Sequence, residues 1–131
     1  MAQQVVKDGS QSVAPGMALK ICGETTQERS PNVIQHVVDM IGSTDPQSIA
    51  AGQLAMSERE DASAILPTIE VATLFVVGLE DTITPPTEMK SLSSEVPNGQ
   101  YIEIPYAGHL APLENPVAFN AAIRSFLESA T

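Results

Sequence analysis

The chain has 131 residues, 43% of them hydrophobic, and six basic side chains against sixteen acidic ones give it a formal charge of −10. This is the size of one modest domain with enough apolar material to bury a core, and it lacks the basic footprint that nucleic-acid phosphates require. Apolar runs such as residues 71–77 are far too short to span a bilayer, and the N-terminus has no basic region followed by an apolar stretch, so a soluble cytoplasmic protein is expected.

Cys22 stands alone, which excludes an intramolecular disulfide and a cysteine metal cluster and fits a reducing compartment. The only histidines, His36 and His109, are too far apart for a local zinc motif. There is no GxGxxG, no P-loop and no internal repeat, so neither a metal nor a cofactor is expected.

In chain order, residues 1–65 read as helical. A stretch from about Val5 to Ile21 is a candidate helix that Pro15-Gly16 would interrupt. Ser30-Pro31 and Asp45-Pro46 each place a capping side chain before a proline suited to the first helical position, so two helices are expected to start there. The first carries Ile34, Val37, Val38 and Ile41 at helical spacing and ends at Gly42 and Ser43-Thr44. The second carries Ile49, Ala50, Leu54 and Ala55.

From about Leu66 the pattern changes. Residues 72–77 form a continuous apolar run bounded by Gly78, as expected of a parallel strand buried on both faces. Thr84-Pro85-Pro86 opens a helix with Met89 and Leu92, which stops before Pro97. Asn98-Gly99 supplies a turn, and residues 101–104 form a second strand. Asn115-Pro116 caps a last helix with Phe119, Ala122, Ile123, Phe126 and Leu127 on one face.

A strand, a helix and a second strand in one sheet are nearly always parallel, so both strands end at the same edge, where open α/β sheets keep their chemistry. Asp81 lies four positions past Val77 and His109 five past Ile104. The topology thus brings a carboxylate and an imidazole into adjacent loops, the pairing a general base needs to fix its tautomer and stabilise its cation. Gly108 is expected to let the backbone turn sharply and present His109. A purely structural polar pair at a sheet edge is the plain alternative.

Residues 76–86 (Val-Val-Gly-Leu-Glu-Asp-Thr-Ile-Thr-Pro-Pro), residues 104–116 (Ile-Pro-Tyr-Ala-Gly-His-Leu-Ala-Pro-Leu-Glu-Asn-Pro) and Phe119-Asn120 closely resemble the C-terminal end of α/β-hydrolases. The resemblance covers about residues 72–127 strongly. It implies that Asp81 is the triad acid after the seventh strand and His109 the general base after the eighth. Residues 1–65, particularly 20–26 and 30–45, more loosely resemble the helical cap of enol-lactonase-like members that act on small esters or lactones. The implied architecture is α/β, the C-terminal part of a hydrolase fold: parallel strands with flanking helices over residues 66–131 and a cap-like segment over residues 1–65.

The family also requires a nucleophile elbow, Gly-x-Ser-x-Gly. No glycine of this chain has a second glycine four positions on, and no HGGG-like oxyanion loop is present. In the family order of serine, acid and histidine, the missing elements would lie upstream of Met1, so a truncated chain is expected.

Other residues have plainer readings. Met17, Met40 and Met56 could line an apolar pocket but suit core filler better. His36 beside its apolar stripe reads as solvated or locally bonded, Glu80 beside Asp81 as a solvated loop charge, and Glu58, Glu60 and Asp61 as an exposed face or a helix end. Leu110 and Pro112 are expected to shape the histidine loop by packing.

Three functions fit. One is part of a serine hydrolase for a small-molecule ester, lactone or related acyl substrate, inactive alone and pairing with an N-terminal hydrolase half. Another is a non-catalytic module that pairs with another polypeptide or self-associates through its sheet edge. The third is a cofactorless lyase, peroxidase or dioxygenase on the same fold.

Overall fold

The computed structural model describes residues 2–130. Five helices come first: α1 (Ala2–Asp8), α2 (Ser10–Ile21), α3 (Glu24–Arg29), α4 (Pro31–Ser43) and α5 (Pro46–Glu58). A 3-10 turn, Ser63–Thr68, leads into β1 (Thr73–Gly78), followed by α6 (Pro86–Glu95), β2 (Gly99–Ile104), α7 (Ala111–Glu114) and α8 (Pro116–Ser129).

The helical segment departs from expectation in where it breaks. Pro15 lies inside α2, whereas the chain turns at Gly9, whose φ of 82° is a left-handed conformation that only glycine adopts without strain. Pro15 withholds one N–H from the helix ladder, and because it and Gln11 are exposed, solvent can satisfy the Gln11 carbonyl left without that partner. The two expected helix starts also differ. Asp45 caps α5 by accepting from the Gln47 N–H at 2.7 Å, while Ser30 occupies the N-cap position of α4 without a side-chain bond.

Helix α4 buries its stripe against α2: Val37 packs with Ala18 and Cys22, flanked by Ile21, Ile34, Val38, Ile41 and Leu110. Leu110 belongs to the loop after β2, so this core joins the helical segment to the sheet edge. Helix α5 contributes no fully buried side chain, consistent with its weak pattern.

The two strands are parallel, paired in register from Thr73 with Gly99 to Gly78 with Ile104. The second core lies under the end of β2, where Ile104, Ala107, Ala111 and Ala122 pack with Val76, Ala118 and Phe119. Gly99 is the first residue of β2 rather than part of a turn. Strand β1 corrects the expectation of burial on both faces: only Val77 and Gly78 are fully buried, and residues 73–76 are half-buried. Within the described residues β1 has one strand neighbour, and its other edge is not paired.

Candidate active site

Where β1 and β2 end, the backbones of the two following loops are joined. Leu79 N–H donates to the Ile104 carbonyl at 2.9 Å and Glu80 N–H to the Ala107 carbonyl at 2.8 Å. This crossing needs Gly78, because a Cβ there would lie 2.0 Å from the Gly108 oxygen and 2.4 Å from that of Ala107.

Asp81 follows at the tip of the first loop. Its Oδ1 accepts from the Ile83 and Thr84 backbone N–H groups at 2.8 and 3.0 Å, which closes a tight turn around the carboxylate. Its Oδ2 accepts the Thr84 hydroxyl at 2.8 Å and lies 2.9 Å from His109 Nδ1. The Asp81 side chain is 4% exposed and the His109 side chain 39%. Burial opposes ionisation of Asp81, yet the bonds from His109, Thr84 and Ile83 together outweigh it and hold the carboxyl below its ordinary pKa. With a carboxylate on Nδ1, the imidazole carries its proton there and keeps the Nε2 lone pair for proton transfer. Nε2 has no hydrogen-bond partner among the described residues.

The structure therefore brings Asp81 and His109 into direct contact, and it revises three neighbouring expectations. Gly108 is not in a left-handed conformation; it is required for close packing, since a Cβ would lie 2.4 Å from the Gly23 nitrogen. The positive φ of this loop, 58°, belongs to Tyr106. Glu80 is not a solvated charge: its carboxylate accepts the Thr25 N–H at 2.8 Å and the Thr25 hydroxyl at 2.5 Å. Glu114 carried no expectation, yet it accepts from Gly23 N–H, the Thr26 hydroxyl and Leu110 N–H at 2.7, 2.7 and 2.9 Å. Apart from Leu110, four residues from Glu114, these partners lie 55 to 91 residues away, so nothing local in the sequence marks them. Thr84 was expected to open a helix; its hydroxyl serves Asp81 instead, and α6 starts on Pro85-Pro86 without a side-chain cap.

The remaining singled-out residues lie apart from this pair. His36, Glu58, Glu60 and Asp61 are exposed. Met40 and Met56 are also exposed, at 40% and 65%, so within this chain neither fills a core. A cleft of about 620 Å³ opens between the end of α2 and the loop after β1, lined by Leu19, Cys22, Gln27, Thr82 and Ile83 among others. His109 is not among its lining residues. Burial, reinforced by the Glu114 charge, pushes the Cys22 thiol up to about 11, so it stays protonated at neutral pH. Among the described residues no group of His, Cys, Asp and Glu side chains converges as a metal centre, and no helix is long and apolar enough to cross a membrane.

A parallel α/β pair with a carboxylate and an imidazole joined at its carboxyl edge is the arrangement of triad-bearing α/β folds. The chain superimposes on a thermophilic esterase from Thermogutta terrifontis with a TM-score of 0.92 and 38% identity, covering 98% of this chain and 47% of that one. The enol-lactonase from Burkholderia xenovorans LB400 matches with a TM-score of 0.87 over 97% of this chain and 48% of that one, and at 24% identity the likeness is one of fold. In sequence, 59 residues are 41% identical to a Mycobacterium tuberculosis protein provisionally named as the non-heme bromoperoxidase BpoC, covering 44% of this chain and 22% of that protein. No family model matches. The relatives and solved structures it matches are α/β-hydrolase family members, and the chain has the fold of their C-terminal part. It spans about half the length of the solved structures it matches, and the 59-residue sequence match covers less than a quarter of BpoC.

Proposed function

We propose that this chain supplies the acid and the base of a serine hydrolase that cleaves a small ester, lactone or related acyl substrate in the cytoplasm. The observation that carries this is the 2.9 Å bond from His109 Nδ1 to a buried, fully hydrogen-bonded Asp81. The similarity to an esterase over nearly the whole chain supports the choice of substrate class. His109 Nε2 takes the proton from a serine hydroxyl as that oxygen attacks the acyl carbon, then gives it to the departing alkoxide. Water repeats the sequence to release the acid. Asp81 holds the Nδ1 proton and offsets the imidazolium charge. Residues 1–65 form the cap over the substrate.

The serine and the oxyanion donors come from a segment outside these 131 residues, since no Gly-x-Ser-x-Gly occurs among them. The purified chain is therefore expected to be inert toward p-nitrophenyl acetate. Saturable hydrolysis by the chain itself, lost in His109→Ala, would contradict this and show that a nucleophile lies within it.

The unpaired edge and half-exposed residues of β1 favour a second reading, a non-catalytic module that pairs through this strand with another polypeptide or a second copy. Light scattering tests the self-associating form: concentration-dependent dimers are expected if β1 pairs between copies, and a strict monomer excludes it.

A further inference from the structure

We propose that Glu80 and Glu114 are positioning residues which fasten residues 21–26 across the Asp81 and His109 loops and so hold the imidazole on its carboxylate. The inference rests on the catalytic reading of Asp81 and His109 given above.

Three consecutive residues of the histidine loop are tied to the same short segment, Gly108 and His109 directly and Leu110 through the Glu114 carboxylate. Gly108 packs backbone against backbone on Gly23, with no room for a Cβ on either residue: one on Gly23 would lie 2.8 Å from the Gly108 nitrogen. His109 N–H donates to the Ile21 carbonyl at 2.9 Å. Leu110 N–H donates to Glu114 Oε1 at 2.9 Å, while Oε2 of the same carboxylate accepts Gly23 N–H and the Thr26 hydroxyl, each at 2.7 Å. On the acid side, Glu80 is the residue before Asp81, and both of its oxygens are taken by Thr25.

The first turn of α3 has N–H groups with no partner inside the helix, and Gly23 and Thr25 find theirs on these two carboxylates. Bonds to ionised acceptors are short and about twice as strong as neutral ones. Residues 21–26 therefore act as a strap tied to Glu80 at the acid loop and, through Glu114 of α7, to the histidine loop. The strap fixes the separation of the loops independently of the β1–β2 ladder. With Asp81 almost fully buried, a small drift of the His109 backbone would break the Nδ1 bond before it disturbed the rest of the fold.

The chain contains two histidines, so imidazole NMR can observe the device directly, with exposed His36 as the internal reference. The wild-type chain is expected to show one exchange-protected Nδ1–H from His109, lost in Asp81→Asn, and none from His36. Glu114→Ala and Glu80→Ala should abolish that signal while amide dispersion stays native, and Glu114→Gln, which retains one acceptor oxygen, should give an intermediate loss. Should an alanine variant not fold, Thr25→Val and Thr26→Val remove a single strap hydroxyl each and should still make the Nδ1–H exchange several-fold faster. A protected signal unchanged in the folded variants overturns the strap and leaves the Asp81–His109 pair standing. A wild-type chain with no protected Nδ1–H, unaltered by Asp81→Asn, overturns the pair and the strap with it.

Discussion

Asp81 meets four donors with two oxygens, and that satisfaction makes its charge tolerable in a buried site. Its native pKa lies below the ordinary 3.8, so the unfolded chain binds the proton more readily than the native one. The stabilisation from Asp81 is therefore complete above the unfolded carboxylate pKa and is lost as pH falls through the depressed native value. Urea melts of the wild-type chain and Asp81→Asn from pH 7 to pH 2 should show the two stabilities converging only in the acid limb, below about pH 4. A constant difference down to pH 2 would mean that Asp81 has no depressed native pKa. At this scale the sequence exposed Asp81 and His109 because strand ends and the Gly-His loop mark them locally. It concealed Glu80, Glu114 and Thr84, whose tasks depend on which segment folds over the loops or on which way one hydroxyl turns.

Secondary structure was legible where one signal dominated. The Asp45-Pro46 start, the apolar stripe of α4 and the two strands all appear close to where their patterns placed them. The break in the first helical stretch was misplaced because Pro15 is the louder signal, although a missing donor on an exposed helix face is tolerable and a left-handed Gly9 redirects the chain outright. The roles of Gly78 and Gly108 were only half visible, since close approach between distant backbones leaves no local pattern. It is nonetheless a strong constraint. Gly78→Ala drives a methyl into two backbone carbonyls that cannot rotate away, and should destabilise the chain by about 3 kcal/mol, at the upper end for overpacking. Gly52→Ala, in open space on α5, should be neutral or slightly stabilising. Denaturant melts of the two variants give the comparison, and equal stabilities would show that the β1 end is not closely crossed.

As a whole molecule the chain is the C-terminal part of an α/β-hydrolase fold, with a helical segment joined to the carboxyl edge of a two-stranded parallel sheet. The order strand, helix, strand, helix and the two motifs make that architecture readable in the sequence. The docking of the helices was not readable, because it depends on one loop residue, Leu110, entering the α2–α4 core and on carboxylates bonding across the chain. The central claim is that Asp81 and His109 form a competent acid–base pair that needs only a nucleophile and oxyanion donors to act. Its most direct test is a chimera in which the part of the Thermogutta terrifontis esterase that this chain does not cover is fused to these 131 residues, assayed on p-nitrophenyl acetate. The account predicts saturable hydrolysis that falls by about 10³-fold or more in His109→Ala, as triad losses do; a folded chimera that is inactive, or one whose hydrolysis is unchanged in His109→Ala, would contradict it.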